Sequence, residues 1–138
     1  VRQRAIPFLL AALALGGLGI AGLGAEAART AGPVEVDIRF SAFSPATLTA
    51  RAGTPITFVL RNADPIDHEW IVGTDALHER HRNGTEPVHD QRPTEVTVPA
   101  LETRQTTVTF DAPGRYRFIC HLPGHEAYGM VGVVTVVG

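Results

Sequence analysis

The chain has no lysine, one cysteine, one methionine and one tryptophan. Each scarcity excludes something. Without lysine, all 12 basic residues are arginine, and against 14 acidic residues they leave a net charge of -2. No clustered basic surface of the kind that nucleic acid requires is present, so nucleic acid is not an expected partner. A single cysteine, Cys120, rules out an internal disulfide. A lone thiol then has to be a small buried hydrophobe, an intermolecular bridge or a ligand. Charged residues are only 19% of the chain while hydrophobic ones reach 44%, which is enough apolar material for a core. The 138 residues fit one domain, with no internal repeat and no low-complexity tract.

The first part of the chain reads as a targeting segment. Arg2 and Arg4 precede an uncharged apolar run from Ala5 to Gly24, and Ala25-Glu26-Ala27 offers a small-x-small cleavage pattern. Together these predict a signal peptide over residues 1–27. The alternative is a retained anchor, because a run of about 20 apolar residues just suffices to span a bilayer. Either way the remainder is expected outside the cytoplasm, in the periplasm or on the extracellular face, with residues 5–24 as the possible membrane tether. Residues 28–33 form a linker and residues 34–138 the domain.

From Val36 onward the pattern has period two. Val36, Ile38 and Phe40 alternate with Glu35, Asp37 and Arg39, as in a half-buried strand. Similar short segments follow at Thr47 to Arg51, Ile56 to Arg61, His68 to Val72, Thr94 to Val98, Thr103 to Phe110, Arg115 to Cys120 and Val131 to Val137. Turn clusters such as Ser44-Pro45, Ala52-Gly53-Thr54-Pro55, Asn62-Ala63-Asp64-Pro65 and Asp111-Ala112-Pro113-Gly114 separate them. Eight β-rich segments with little helix predict a β-sandwich. Gly73 to Pro93 breaks the rhythm. Thr74 can cap a short helix over Asp75 to Arg82, stopped by Asn83-Gly84, and a connection this long in a small sandwich is often functional.

The chemistry concentrates between the last two strands. Cys120, His125 and Met130 stand at five-residue intervals in one loop. Thiolate and thioether suit reduced copper, imidazole suits both oxidation states, and a His2Cys set with a weak axial Met suits a one-electron copper centre. The loop supplies three such groups, so a second histidine must come from elsewhere. His68 opens a strand directly after a turn cluster. Parity puts Tyr116, Phe118 and Cys120 on one face and Arg115, Arg117 and Ile119 on the other. Cys120 is therefore expected to point inward, as is His68, which shares a face with Trp70 and Val72.

The segment Cys-x-x-Pro-Gly-His-x-x-x-Gly-Met-x-Gly, from Cys120 to Gly132, resembles the ligand loop of the cupredoxins. Phe43-Ser44-Pro45, the Ala52 to Pro55 turn and Asn62 through His68-Glu69 resemble the upstream features of that family. The likeness spans about residues 34–138, with loop spacing nearer the azurin, auracyanin and rusticyanin side than plastocyanin's. It implies an eight-stranded Greek-key β-sandwich with one type 1 copper ion held by His68, Cys120, His125 and Met130. It also implies a one-electron carrier, expected as a monomer that meets redox partner proteins. A copper-homeostasis or metal-delivery protein, or a subunit of a membrane oxidase or reductase, is the alternative. Glu69 departs from the Asn or Ser often found after the first histidine. Its backbone N–H can still reach the sulfur.

Four histidines lie outside this set. His121, beside the cysteine, is expected to face solvent. Oxidases that use such a histidine for a second copper also need one before the cysteine, where this chain has Ile119, so catalysis by the chain alone is not expected. His78 and His81, three apart, share a helix face. With His89 they form the candidate for a second metal, against the simpler expectation of a polar loop.

Overall fold

A computed structural model describes residues 32–85 and 92–138. The expected sandwich is present, with nine strands among the described residues rather than eight. They are β1 (Val34–Arg39), β2 (Ala42–Ser44), β3 (Thr47–Arg51), β4 (Ile56–Asn62), β5 (His68–Gly73), β6 (Glu95–Val98), β7 (Thr103–Val108), β8 (Gly114–Ile119) and β9 (Val131–Val137). One sheet has the order β2-β1-β4-β7 and the other β3-β9-β8-β5-β6. β1 pairs in parallel with β4, and β3 with β9, while the remaining pairings are antiparallel. Among the described residues no helix is long and apolar enough to cross a membrane. The segment read as a signal peptide lies outside them.

The ninth strand arises at a turn that periodicity alone does not disclose. Phe40 and Ser41 both have positive φ, 56° and 53°. That reverses the chain and pairs Ile38 with Phe43. Left-handed backbone is unfavourable for residues with a Cβ, and here a buried carboxylate holds it. Asp64 accepts hydrogen bonds from the N–H groups of Phe40 and Ser41, each at 2.8 Å.

Alternation packs Val36, Ile38, Phe58 and Leu60 of one sheet against Trp70, Val72, Phe118, Val134 and Val136 of the other. Phe58 and Trp70 meet across the interface with centroids 4.8 Å apart, and Phe43 sits edge-on to Phe118 at 5.2 Å. Such pairs contribute about 0.5–1.5 kcal/mol beyond their area. Trp70 is thus a core aromatic. Gly132 lies so close to Phe118 and the Ala46 carbonyl that a Cβ there would collide with both. Its absence lets β9 approach the ring.

The helix forms where its signals predict. α1 (Asp75–Arg82) is capped by the Thr74 side chain, which accepts from the Leu77 N–H. It ends at Asn83, with Gly84 at φ 63°. α1 packs on β5 and β8. The helix covers part of the outer face of β8. Arg115 is exposed, but Ile119 and its cross-strand partner Ile71 are buried, and Arg117 is only partly open.

Candidate metal centre

Two strand ends and one tight loop bring the expected ligands to one end of the sandwich. Strand β5 begins at His68, whose ring is fully buried. β8 hands the chain to Cys120, also fully buried. The following loop then folds tightly on itself. Gly124, at φ 86°, makes the turn that follows Pro123. The His125 N–H donates to Leu122 O at 3.0 Å, and the Met130 N–H donates to His125 O at 3.0 Å. Cys120 N–H donates to Met130 O at 3.2 Å, closing the loop. This lays Met130, itself fully buried, beside the cysteine backbone.

The donor atoms of His68, Cys120 and His125 all lie within 4.8 Å of one another. Cys120 Sγ is 3.2 Å from His125 Nδ1, which is 3.3 Å from His68 Nδ1. A single ion can be reached by all three. The set combines one thiol with two imidazoles and has a thioether residue next to it, the composition expected for copper in a His2Cys site with a weak fourth donor. The Glu69 N–H points at the sulfur from 3.3 Å, as expected. Burial pushes the Cys120 thiol up, with the N–H groups of Glu69 and Leu122 pulling the other way. Burial lowers the His125 pKa, and neighbouring His68 lowers it further. A neutral imidazole is the form that binds metal.

Sequence reading missed Asp64, which appeared there only as a turn residue. Its Oδ2 lies 3.0 Å from His68 Nε2, the nitrogen turned away from the donor cluster. A carboxylate in that position fixes the tautomer and leaves Nδ1 free to coordinate. Burial opposes the charge on Asp64, but hydrogen bonds from Ser41, Phe40 and His68 outweigh it and hold the carboxyl below its usual range. One side chain thus ties the β1–β2 turn to the first histidine. The spacing of Asp64 and His68 was visible, but the reversal at Phe40 that completes the arrangement was not. Asn62 steadies the same loop: its amide nitrogen donates to Ile66, Val98 and Pro99 carbonyls, and its oxygen accepts from Asp64 N–H.

His121 departs from expectation. It points away from the donor cluster, as parity requires, yet its side chain is only 6% exposed. α1 covers it. His78 Nδ1 is 3.0 Å from His121 Nε2, and the His81 ring stacks on His121 at 5.3 Å. His78 and His81 do share a face, and both are buried against the sheet rather than displayed in a polar loop. His89 lies outside the described residues. Glu126 receives Arg82 of α1 at 2.6 and 3.0 Å, clasping the ligand loop to the helix.

A two-sheet Greek-key sandwich with a buried cysteine between two histidines at one end defines a cupredoxin-type copper protein. The sequence matches the profile of the copper binding proteins of the plastocyanin/azurin family over residues 31–137, and the chain belongs to that family. Copper is its cofactor. Among curated relatives, a copper-resistant cuproprotein CopI of Rubrivivax gelatinosus is 36% identical over 97 residues. That match covers 68% of this chain but 59% of the relative, so the chain spans little more than half of that protein. A CopI of Pseudomonas aeruginosa PAO1 is 28% identical over 145 residues, covering 81% of this chain and 80% of the relative. Among solved structures, auracyanin B superposes with a TM-score of 0.64 at 26% identity, covering 77% of this chain and 88% of that one.

Proposed function

We propose that this chain is an exported copper-tolerance protein that binds one copper ion in a type 1 site through His68, Cys120, His125 and Met130. The observation that carries the ligand set is the preformed His68–Cys120–His125 cluster, with its first histidine already oriented by Asp64. Kinship to proteins named copper-resistant cuproproteins supports the role. Bound copper supplies one-electron chemistry. The protein's part is to present donors in a fixed arrangement, bury the thiol and exclude bulk water from it. The protein acts as a binder rather than an enzyme, as a monomer, outside the cytoplasm, after export directed by residues 1–27.

Two measurements test this. Purified copper-loaded protein should show an intense visible thiolate-to-copper band that Met130→Leu retains. In the native host, deletion should lower the copper concentration that stops growth, and the wild-type gene, not Cys120→Ser, should restore it. Unchanged tolerance in the deletion would refute the role while leaving the site intact.

A second reading, a one-electron carrier, is favoured by one observation. His125 is the partly exposed member of the donor set, and exposed Pro123, Gly124 and Ala127 surround it. Small, weakly polar patches suit brief docking with redox partner proteins. On this reading Leu122→Lys slows electron self-exchange without moving the visible band. An unchanged rate removes it.

A further inference from the structure

We infer that His78 and His121 form a second binding site, for a divalent metal of imidazole preference such as Cu²⁺, on the face of β8 opposite the type 1 centre. The inference stands apart from the role in copper tolerance. It rests on how the outward-facing nitrogens of these two histidines are held.

His78 Nε2 lies 3.1 Å from the Arg117 carbonyl. A carbonyl can only accept, so this nitrogen carries the ring hydrogen. In the neutral ring Nδ1 is then a lone pair, and it points at His121. On the other side, His121 Nδ1 lies 3.5 Å from a Glu126 carboxylate oxygen. In the metal-free protein the His121 Nε2–H donates to the His78 Nδ1 lone pair at 3.0 Å. When the His121 ring hydrogen sits on Nδ1 instead, on the side of the Glu126 carboxylate, both facing nitrogens are lone pairs. A shared metal ion fits between them, because two imidazoles on one ion bring their ligating nitrogens to roughly this separation, given metal–nitrogen bonds of about 2.0–2.1 Å.

The surroundings are those of a ligand site. The second nitrogen of His78 is fixed by a backbone carbonyl, and a carboxylate oxygen stands 3.5 Å from that of His121, the kinds of partner metal-bound histidines ordinarily have. His78 is fully buried, so its orientation is set by packing. A cleft of about 390 Å³, lined in part by His81, Arg82, His121 and Glu126, opens on the His121 side of the pair, with Arg82 held by the Glu126 carboxylate. His81 stacks on His121 at the cleft wall, with its Nδ1 3.1 Å from the Leu77 carbonyl. Imidazole donors without a thiolate favour Cu²⁺ among common divalent ions. Cys120 and His121 are consecutive, so a single peptide would join the two sites.

The test is calorimetric and spectroscopic titration of the full chain, its type 1 site already loaded, with Cu²⁺ as titrant. A second equivalent should bind and give a nitrogen-ligated paramagnetic signal without a new visible thiolate band. His78→Gln and His121→Asn should each weaken that event at least tenfold, whereas His89→Ala should leave it unchanged. Retention of the type 1 band reports that each variant is folded. As a measurement free of substitution, Zn²⁺ added to the loaded wild-type protein should shift the imidazole ¹⁵N resonances of His78 and His121 together. The inference fails if no second event occurs, if the event survives both substitutions, if it is lost in His89→Ala, or if Zn²⁺ leaves those resonances in place.

Discussion

Cys120 and His121 are consecutive, yet they leave β8 on opposite faces and meet different surroundings. Cys120 enters the space between the sheets, where Phe118, Trp70 and Met130 are fully buried and the sulfur meets two histidines and the Glu69 N–H. His121 enters a second, thinner layer made by α1, where His78, His81, Glu126 and Arg82 gather around it. The inner face is closed by the sandwich itself and comes with the fold. The outer face is closed by an eight-residue helix held down by an ion pair. One strand thus supplies a soft sulfur-containing donor set on one side and a set of imidazoles and carboxylate on the other. The difference follows from the period-two geometry of a strand.

The comparison can be broken most completely at the inner face. Cys120→Ser should abolish the visible copper band outright while the helix layer stays intact by far-ultraviolet circular dichroism. Next in size, Asp64→Ala removes the group that orients His68 and holds the Phe40–Ser41 turn. Loss of such an orienting carboxylate weakens metal binding by about 10- to 100-fold, and competition with a chelator of known affinity would measure it. A third substitution probes packing without touching a donor. Gly132→Ala places a methyl group against Phe118 and the Ala46 carbonyl, 2.8 Å from the latter. Overpacking of this kind costs about 1–3 kcal/mol, readable as a lower urea midpoint.

The outer face should respond to acid. Burial is the main cause that lowers the His121 pKa from 6.5 to about 4, with His78 adding to it, and burial also lowers that of His78. Between these values the unfolded chain takes up more protons than the folded one. Metal-free protein should therefore lose stability as pH falls from 6.5 towards about 4. Replacing His121 with Asn should flatten that part of the profile, as measured by thermal melts. The smallest effect is expected at the clasp. Arg82→Ala removes a partly exposed ion pair with Glu126, a change of about 0–1 kcal/mol. It should loosen α1 in hydrogen exchange while leaving the type 1 band where it is.

Much of this molecule is written in local pattern. Alternation alone gives the strands and the inward aim of Cys120 and His68. The spacing of Cys120, His125 and Met130 gives the loop, and Thr74 with Asn83-Gly84 gives the helix. These are readable because they depend on near neighbours and on the pleat. The turn at Phe40–Ser41 is not, because its positive φ values are held by Asp64, more than twenty residues away. Nor is the burial of His121. Parity turns it away from the core, and for an uncovered sheet that would mean solvent. Only the folding of α1 across β5 and β8, fixed by Arg82 and Glu126 at a separation of 44 residues, converts that outward face into an interior. The sequence determined which way each side chain leaves its strand. What it meets there was decided by tertiary packing, because burial depends on whichever distant element comes to lie on that face.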